Sequence, residues 1–270
     1  MGLGGEPILH DSIKAFFDFF KPYGLGATAI KPGYGMAENT LAATVTKIQD
    51  KYTVDWVDVR MLYDEKRALP ADSNQKGSIP IVSCGLPLDG VDMGIVDLSR
   101  NRLPERSVGE IAIRTGFLFS GYHLNPELTG EVMHDGWYYT GDIGYMAKGH
   151  LYVCGRKKDL IIKGGQNIHP EDLENIANTV SGIKAGKAVA FGVDDPRTGS
   201  EKIVMVCELV PGVGQEDRAN ISRELRRRVF HELYVSLSEV RFVERGWVVK
   251  TYNGRMVRSA NRTKYLQALI

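Results

Sequence analysis

Two residues of opposite charge, Asp142 and Arg156, are the side chains best suited to hold a polar ligand. Asp142 ends an aromatic-rich run at residues 137–142, and Arg156 follows Gly155 at the start of a basic segment. A carboxylate can accept hydrogen bonds from both hydroxyls of a ribose diol, and a guanidinium can donate to the same diol or to a phosphate. The pair therefore indicates a nucleotide site.

A glycine-rich turn follows in residues 164–174. Gly164 and Gly165 stand directly before Gln166 and Asn167, and Pro170 is followed by acids, which is typical of a helix start. Glycine lets the backbone approach a ligand closely. The turn is a second candidate contact for a ligand.

An earlier segment, residues 34–41, adds an aromatic ring and an acid. Tyr34 can lay its ring against a purine, and Gly35 allows close approach of the backbone. Alone, this pattern is also typical of a plain turn between a strand and a helix. Its order relative to the later segments favours a ligand site.

Taken in order, these segments resemble those of the adenylate-forming enzymes, the superfamily of acyl-CoA synthetases, fatty acyl-AMP ligases and peptide-synthetase adenylation domains. Nearly the whole chain resembles the C-terminal half of such an enzyme. Within the superfamily it is most similar to fatty acyl-AMP ligases, and residues 4–7, 34–41 and 82–85 carry this finer resemblance.

The resemblance implies that a carboxylate attacks the α-phosphate of ATP and yields an acyl-adenylate and pyrophosphate. It implies Mg²⁺ as a cofactor and a fatty acid or other carboxylate as substrate. A phosphopantetheine thiol, on an acyl carrier protein or in CoA, is the implied acceptor. Such catalysis consists mainly of positioning and of stabilising charge on the phosphoryl oxygens.

The resemblance also assigns roles in the first half of the chain. It places Glu38 at the catalytic acid near Mg²⁺ and the phosphates, so that Glu38 is the expected metal ligand. The residues that it places around the nucleotide are Tyr34, Gly35, Met36, Glu38, Asp142 and Arg156.

In the second half, the resemblance assigns Lys158 to the hinge, where rotation presents two faces of the C-terminal unit to the site. It places Asn167 near the phosphate and Gly164 and Gly165 along the acceptor tunnel. His169 we expect to be structural rather than a general base.

The clearest departure from the family lies near the C-terminus. The family has two lysines there, and the second bridges the carboxylate and the α-phosphate. Here Lys250 matches the first lysine, and Arg255 stands at the position of the second. A planar guanidinium is not equivalent to a compact ammonium, so we expect Arg255 to support adenylation less well than a lysine.

No segment before Tyr34 resembles the family's Ser/Thr/Gly-rich phosphate loop. We therefore expect the chain to begin partway through the large N-terminal domain. It would be an excised piece, a truncated reading frame or one part of a split enzyme. We expect it to be inactive alone and to need the missing N-terminal half as a partner.

The composition of the chain argues against several classes of protein. With 270 residues, 43% hydrophobic, the chain can form one large domain or two smaller ones. Its net charge of +1 gives no electrostatic footprint for nucleic acid, and no apolar run is long enough to span a bilayer. The three cysteines show no metal-site or disulfide spacing, and we expect buried thiols in a cytoplasmic protein.

Elements that position these residues can also be predicted. Ile13, Phe16, Phe17 and Phe20 have helical spacing after Asp11 or Ser12, either of which can cap the helix. Further helices are predicted from Pro170 and over 222–233. Strands are predicted at residues 42–48, 52–59, 79–82, 94–96, 110–113, 188–193 and 203–207.

The predicted fold class is α/β followed by α+β. Residues 1–155 are expected to form the incomplete remainder of the AMP-binding N-terminal domain, with a strand–helix segment and a small β-barrel. Residues 156–270 are expected to form a small, mobile C-terminal α+β domain.

Three functions remain open on the sequence. The first is part of a fatty acyl-AMP ligase that delivers its acyl group to a carrier-protein thiol. The second is a fragment of a fatty acyl-CoA synthetase. The third is a docking or regulatory remnant that keeps the fold without turnover. The acyl chain that such an enzyme would select is left open as well.

Overall fold

The computed structural model describes residues 1–252 and 254–268. Internal contacts divide the chain into two compact units. Unit 1 comprises Met1–Ser73 and Ser78–Lys157, and unit 2 comprises Asn74–Gly77 and Lys158–Ile270. The assignment of independent domains at 1–155 and 156–270 stays a prediction.

Unit 1 is rich in short strands. Its strands are β1 (Gly2–Leu3), β2 (Lys31–Tyr34), β3 (Thr44–Val45), β4 (Val54–Asp58), β5 (Ser78–Val82), β6 (Leu86–Pro87), β7 (Val91–Val96), β8 (Gly109–Thr115), β9 (Met133–His134), β10 (Trp137–Ala147) and β11 (His150–Arg156). Its helices are α1 (His10–Phe20), α2 (Val59–Asp64) and α3 (Pro126–Val132).

The largest sheet of unit 1 has the antiparallel order β11-β10-β8-β7, and β9 pairs with the outer part of β10. Its core includes the fully buried Ile111, Ile113 and Leu151. Tyr34, at the end of β2, and Ala43, directly before β3, belong to the same core. The core therefore fixes β2 against the sheet that carries Asp142 and Arg156.

Two smaller sheets complete unit 1. One has the order β1-β2-β3-β6, with β1 and β2 parallel, and the other is the antiparallel pair β4-β5. The prediction of many short strands is confirmed. The strand predicted at 42–48 is only Thr44–Val45, since only these two residues pair, with β2 on one side and with the two-residue β6 on the other. Closure of these strands into a barrel stays a prediction.

Helix α1 forms where its apolar spacing predicts it. Its N-cap residue is Leu9, whose side chain makes no capping bond, so the predicted capping by Asp11 or Ser12 is wrong. Leu9 already has the extended backbone of a cap, which leaves Asp11 inside the first turn. There its charge favours the positive end of the helix dipole.

Unit 2 is built around one three-stranded sheet. Its strands are β12 (Ile161–Lys163), β13 (Gln166–Ile168), β14 (Ile183–Asp195), β15 (Ser200–Leu209) and β16 (Glu239–Val243), and its helices are α4 (Pro170–Asn178), α5 (Gln215–Leu233) and α6 (Arg258–Gln267). Strands β14 and β15 are antiparallel, and β15 and β16 are parallel. Strands β12 and β13 form a separate hairpin.

Helix starts in unit 2 follow local signals. Helix α4 begins at Pro170 with acids in its first turn, as predicted. Helix α5 begins at Gln215, seven residues before the predicted start at 222. Gly214 caps it, and Glu216 and Asp217 lie in its first turn, so the start depends on capping and charge rather than on an apolar face.

Two general expectations can be compared with the structure. Cys84 and Cys207 are buried as predicted, but Cys154 is partly exposed, so the expectation of three buried thiols is wrong for that residue. Among residues 1–252 and 254–268, no helix combines the length and apolar character needed to cross a membrane.

Candidate functional site

Asp142 and Arg156 occupy opposing positions on β10 and β11. Arg156 Nε lies 3.0 Å from Asp142 Oδ1, and the side chains are 52% and 12% exposed respectively. The register of β10 against β8 shifts between Tyr139 and Ile143, as in a β-bulge. A bulge re-aims the side chains it carries, and Asp142 lies within this one.

Tyr34 reaches the same carboxylate from β2. Its hydroxyl donates to Asp142 Oδ2 at 2.8 Å, and the residue is only 9% exposed. Two donors therefore fix the two carboxylate oxygens before any ligand arrives. Contact between the Tyr34 ring and a purine stays a prediction.

The environment of Asp142 opposes its ionisation. Burial raises the pKa of this carboxyl above its usual value, against the lowering effects of Arg156 and of the Tyr34 hydrogen bond. Burial also raises the pKa of Tyr34 well above its usual value, so that its hydroxyl stays a donor at neutral pH. Burial of the Asp142 carboxylate therefore costs folding stability. Ionisable groups with shifted pKa values of this kind are typical of functional sites.

Gly35 lets the segment after β2 fold tightly. A Cβ at this position would lie 1.8 Å from the carbonyl oxygen of Leu41 and 2.7 Å from the Cα of Ala42. Both are backbone atoms, so only glycine fits without moving the chain. Met36 is partly buried against the core of unit 1.

Glu38 lies in a short 3-10 turn, Ala37–Asn39. Its Oε1 accepts a hydrogen bond from the Tyr122 hydroxyl at 2.7 Å, and its carbonyl accepts from the Phe119 amide at 2.8 Å. The Tyr138 hydroxyl lies 3.3 Å from that of Tyr122. Sequence reasoning gave neither tyrosine a role, although Tyr138 lies in the aromatic-rich run at residues 137–142.

No cluster of three or more potential metal-ligating side chains occurs within the described part of the chain. Glu38 could still share a magnesium ion, because Mg²⁺ is commonly held by one or two carboxylates together with phosphate oxygens and waters. A single oriented carboxylate beside a nucleotide site fits that chemistry.

Lys158 lies in the 3-10 turn Lys157–Asp159, at the boundary between the two units. Lys157, its neighbour in unit 1, is bound to Glu110 at 2.9 Å. Lys158 is exposed. These facts leave Lys158 available as a hinge, and its role there stays a prediction.

Gly164 and Gly165 form the exposed turn between β12 and β13. Their φ angles are 59° and 85°, in the left-handed region that glycine adopts most readily. The Gly164 amide donates to Ser200 Oγ at 2.9 Å. Asn167 is half-buried on β13, opposite Ile162.

Lys250 and Arg255 lie on opposite arms of a tight hairpin before α6. Lys250 forms an isolated bridge with Met256, and the Thr251 amide donates to the Arg255 carbonyl at 2.8 Å. The Asn261 side chain bonds both the amide and the carbonyl of Val249, which anchors the hairpin to α6. Arg255 is exposed.

Unit 2 also contains a buried ionic cluster that sequence reasoning missed. Arg258, at the start of α6, lies 2.7 to 2.9 Å from carboxylate oxygens of Asp159, Glu171 and Glu174. Burial raises the pKa of Glu171 to about 7. Burial tends to lower the pKa of Arg258, but the hydrogen bond to Glu174 and the nearby carboxylates raise it, so the guanidinium stays charged.

His169 precedes α4 and is 2% exposed. Burial lowers its pKa to about 4, which leaves the imidazole neutral at physiological pH. This burial is consistent with the structural role expected of it.

Residues 1–123 match the family model described as AMP-binding enzyme. The long-chain-fatty-acid–AMP ligase FadD32 of Mycobacterium marinum is 32% identical over 303 residues, which cover 97% of this chain and 48% of that protein. The medium-chain-fatty-acid–acyl-carrier-protein ligase JamA of Moorena producens is 28% identical over 280 residues, which cover 99% of this chain and 47% of that protein.

Solved structures agree. One, from structural and functional studies of fatty acyl-adenylate ligases from E. coli and L. pneumophila, has a TM-score of 0.88 and 30% identity, and covers 99% of this chain and 47% of that chain. The chain spans about half the length of the curated relatives it matches. Over nearly its whole length the chain is thus similar to fatty acyl-AMP ligases, and its first 123 residues match the AMP-binding enzyme family.

Proposed function

We propose that the chain is part of an ATP-dependent fatty acyl-AMP ligase and that unit 1 binds the ribose of its nucleotide. The observation that carries this proposal is the fixed pair Asp142–Arg156, with Tyr34 on the second carboxylate oxygen. The carboxylate accepts from the ribose diol, and the guanidinium donates to the same sugar or to the α-phosphate.

Glu38 is the residue we assign to magnesium. Magnesium bound there would neutralise charge on the phosphates and favour departure of pyrophosphate. Glu38 would hold the ion together with phosphate oxygens and waters.

In the reaction, a carboxylate oxygen of the fatty acid attacks the α-phosphorus, and the bond to the bridging oxygen of pyrophosphate breaks. We assign Arg255 to the junction between the fatty acid carboxylate and the α-phosphate, with Lys250 as the second cationic candidate and Asn167 as a polar contact to the phosphate. A cation there lowers the barrier most if it interacts more strongly with the transition state than with the substrate.

The acceptor that we favour is a carrier-protein phosphopantetheine thiol. A relative named for acyl-carrier-protein ligation, similar over 99% of this chain, supports this choice. The exposed turn at Gly164 and Gly165 is the assigned approach for the pantetheine arm, with Lys158 as the hinge that presents it. Free CoA is the alternative acceptor, with the same thiol chemistry.

ATP–pyrophosphate exchange tests the reaction. The chain is assayed with ATP, Mg²⁺ and a fatty acid, first alone and then with a polypeptide that supplies a family phosphate loop. We expect exchange only in the second assay, and only with fatty acid present. Absence of exchange in both assays, with AMP binding retained, would favour a docking or regulatory role.

The acceptor is tested in the active mixture. After the acyl-adenylate has formed, either CoA or a phosphopantetheinylated acyl carrier protein is added, and the thioester is measured by mass spectrometry. A carrier-protein thioester without acyl-CoA is the expected result. Acyl-CoA as the main product would instead identify an acyl-CoA synthetase.

A further inference from the structure

The segment that carries Tyr122 is held by a network of local hydrogen bonds. The Tyr122 amide donates to Thr129 Oγ1 at 2.9 Å, and that hydroxyl donates to the Asn125 carbonyl at 2.8 Å. The Asn125 side chain caps α3 by accepting from the Leu128 amide at 3.0 Å. The motif in residues 120–129 therefore fixes the backbone from which Tyr122 projects.

Gly121 makes this arrangement possible. Its φ of 144° lies in the range that favours glycine, and a Cβ there would come within 2.8 Å of Thr129 Cγ2. The Tyr122 ring is itself held edge-on by Phe119, with ring centroids 4.9 Å apart. Phe119 also packs edge-on against Tyr138.

The Tyr122 hydroxyl joins two groups. It donates to Glu38 Oε1 at 2.7 Å, and the Tyr138 hydroxyl, on a residue that is 4% exposed, lies 3.3 Å away. Burial raises the pKa of Tyr122 above its usual value, so the phenol stays protonated at neutral pH. Tyr138 can then donate to the Tyr122 oxygen while Tyr122 donates to Glu38, which strengthens both bonds.

Glu38 is held at a second point by the same segment, since the Phe119 amide donates to its carbonyl at 2.8 Å. Its backbone and its side chain are thus both fixed by residues 119–122. Tyr122 donates to Oε1 and not to Oε2. Because this bond fixes the orientation of the carboxylate, it also fixes the direction of Oε2.

We infer that Tyr122 is a positioning residue, which holds the Glu38 carboxylate so that its Oε2 meets the metal ion of a metal–nucleotide complex. This inference rests on the proposed function. It gives a role to residues 120–129, none of which belongs to the Asp142–Arg156 pair. Ligands held in place by a neighbouring hydrogen bond bind metal more tightly, and loss of such a bond typically weakens binding about tenfold or more.

The test uses Tyr122→Phe, which removes the hydroxyl and keeps the ring. Tyr139→Phe is the matched control, because it removes a hydroxyl from the same strand as Tyr138. The probe is Mn²⁺·ATP, whose paramagnetism broadens amide signals near the metal in an isotope-labelled chain even when binding is weak. The measured quantity is the Mn²⁺·ATP concentration that halves the signals of Glu38 and Asn39.

We expect that concentration to rise about tenfold or more in Tyr122→Phe, as for loss of a hydrogen bond that holds a metal ligand in place. It should be unchanged in Tyr139→Phe. Broadening near Asp142, at the ribose end, should persist in all forms. A merely structural role for Tyr122 would instead leave the concentration unchanged or shift every signal of unit 1 together.

Two outcomes separate the inference from the function on which it rests. Equal broadening at Glu38 in the wild type and in Tyr122→Phe would overturn the inference and leave the function intact. No broadening at Glu38 in the wild type would overturn both. If Tyr122→Phe does not fold, Tyr138→Phe takes its place, with an expected rise of about twofold because only the supporting donor is lost; no rise would overturn the inference.

Discussion

Asp142 and Arg156 stand opposite each other on neighbouring antiparallel strands, with 3.0 Å between Asp142 Oδ1 and Arg156 Nε. They are fourteen positions apart in sequence, and the β10–β11 hairpin brings them together. Tyr34, 108 positions from Asp142, completes the carboxylate's hydrogen bonds from another sheet. The Asp142 carboxylate is therefore held in one orientation by Tyr34 and Arg156 before a ligand binds, and such an oriented acceptor suits recognition of a diol.

The tight turn at Gly35 gives the first prediction. Gly35→Ala should lower the free energy of unfolding by about 1–3 kcal/mol, because the new Cβ overlaps backbone atoms of Leu41 and Ala42 that cannot rotate away. It should also weaken AMP binding, since Tyr34 and Glu38 flank the displaced turn. Urea unfolding and calorimetry measure the two effects.

Gly116→Ala is the matched control for that change. A Cβ at Gly116 would have no heavy atom within 4 Å. Its unfolding free energy should stay within about 0.5 kcal/mol of the wild type. Equal stability of the two alanine variants would show that the space around Gly35 is not restrictive.

Sequence reasoning singled out Asp142, Arg156 and Arg255 but not the contacts that surround them. Asp142 and Arg156 lie in short motifs whose chemistry is visible locally. Tyr122 acts on Glu38 across 84 positions, and Arg258 meets Asp159 across 99, so neither partnership leaves a local pattern. The extent of β3 was predicted wrongly for a similar reason, since it is limited to the two residues that pair with β2 and β6.

Glu171 should make the stability of the protein depend on pH. Burial raises its folded-state pKa from the usual 4.5 to about 7, with Arg258 acting in the opposite direction and Glu174 in the same one. A raised pKa means that its contribution is fully present below pH 4.5 and is lost as the pH rises through 7.

Glu171→Gln removes that titration. The difference in unfolding free energy, variant minus wild type, should increase by about 2–3 kcal/mol between pH 5 and pH 8. Denaturant unfolding at several pH values measures it. His169, whose pKa is lowered to about 4, titrates in both proteins and cancels in the difference. A pH-independent difference would contradict the raised pKa.

Arg258 should be a major contributor to the stability of unit 2. Arg258→Gln leaves the carboxylates of Asp159, Glu171 and Glu174 buried without their cation, so the unfolding free energy should fall by about 3–5 kcal/mol. Arg227→Gln breaks an exposed pair with Glu224 and should change the unfolding free energy far less, because water screens that pair. Comparable losses in chemical denaturation would be evidence against the cluster.

Arg255 should affect turnover rather than affinity. In a mixture active in pyrophosphate exchange, Arg255→Lys should raise the exchange rate. The reason is that a compact ammonium fits between the carboxylate and the α-phosphate better than a planar guanidinium does. Arg255→Ala should nearly abolish exchange with little change in the KM for ATP. If all three forms exchange equally, Arg255 is not at the reacting atoms and Lys250 becomes the candidate.

AMP binding to the 270-residue chain and to Asp142→Ala tests the central claim most directly. Amide shifts of an isotope-labelled chain, titrated with AMP, should change most at Tyr34, Asp142 and Arg156. The change to alanine should weaken binding by about 1.5–3 kcal/mol, as for loss of charge-assisted hydrogen bonds. Asp135→Asn, at an exposed loop position, should bind as the wild type does. Unchanged AMP affinity in Asp142→Ala, or shifts confined to residues away from the pair, would contradict the ribose assignment.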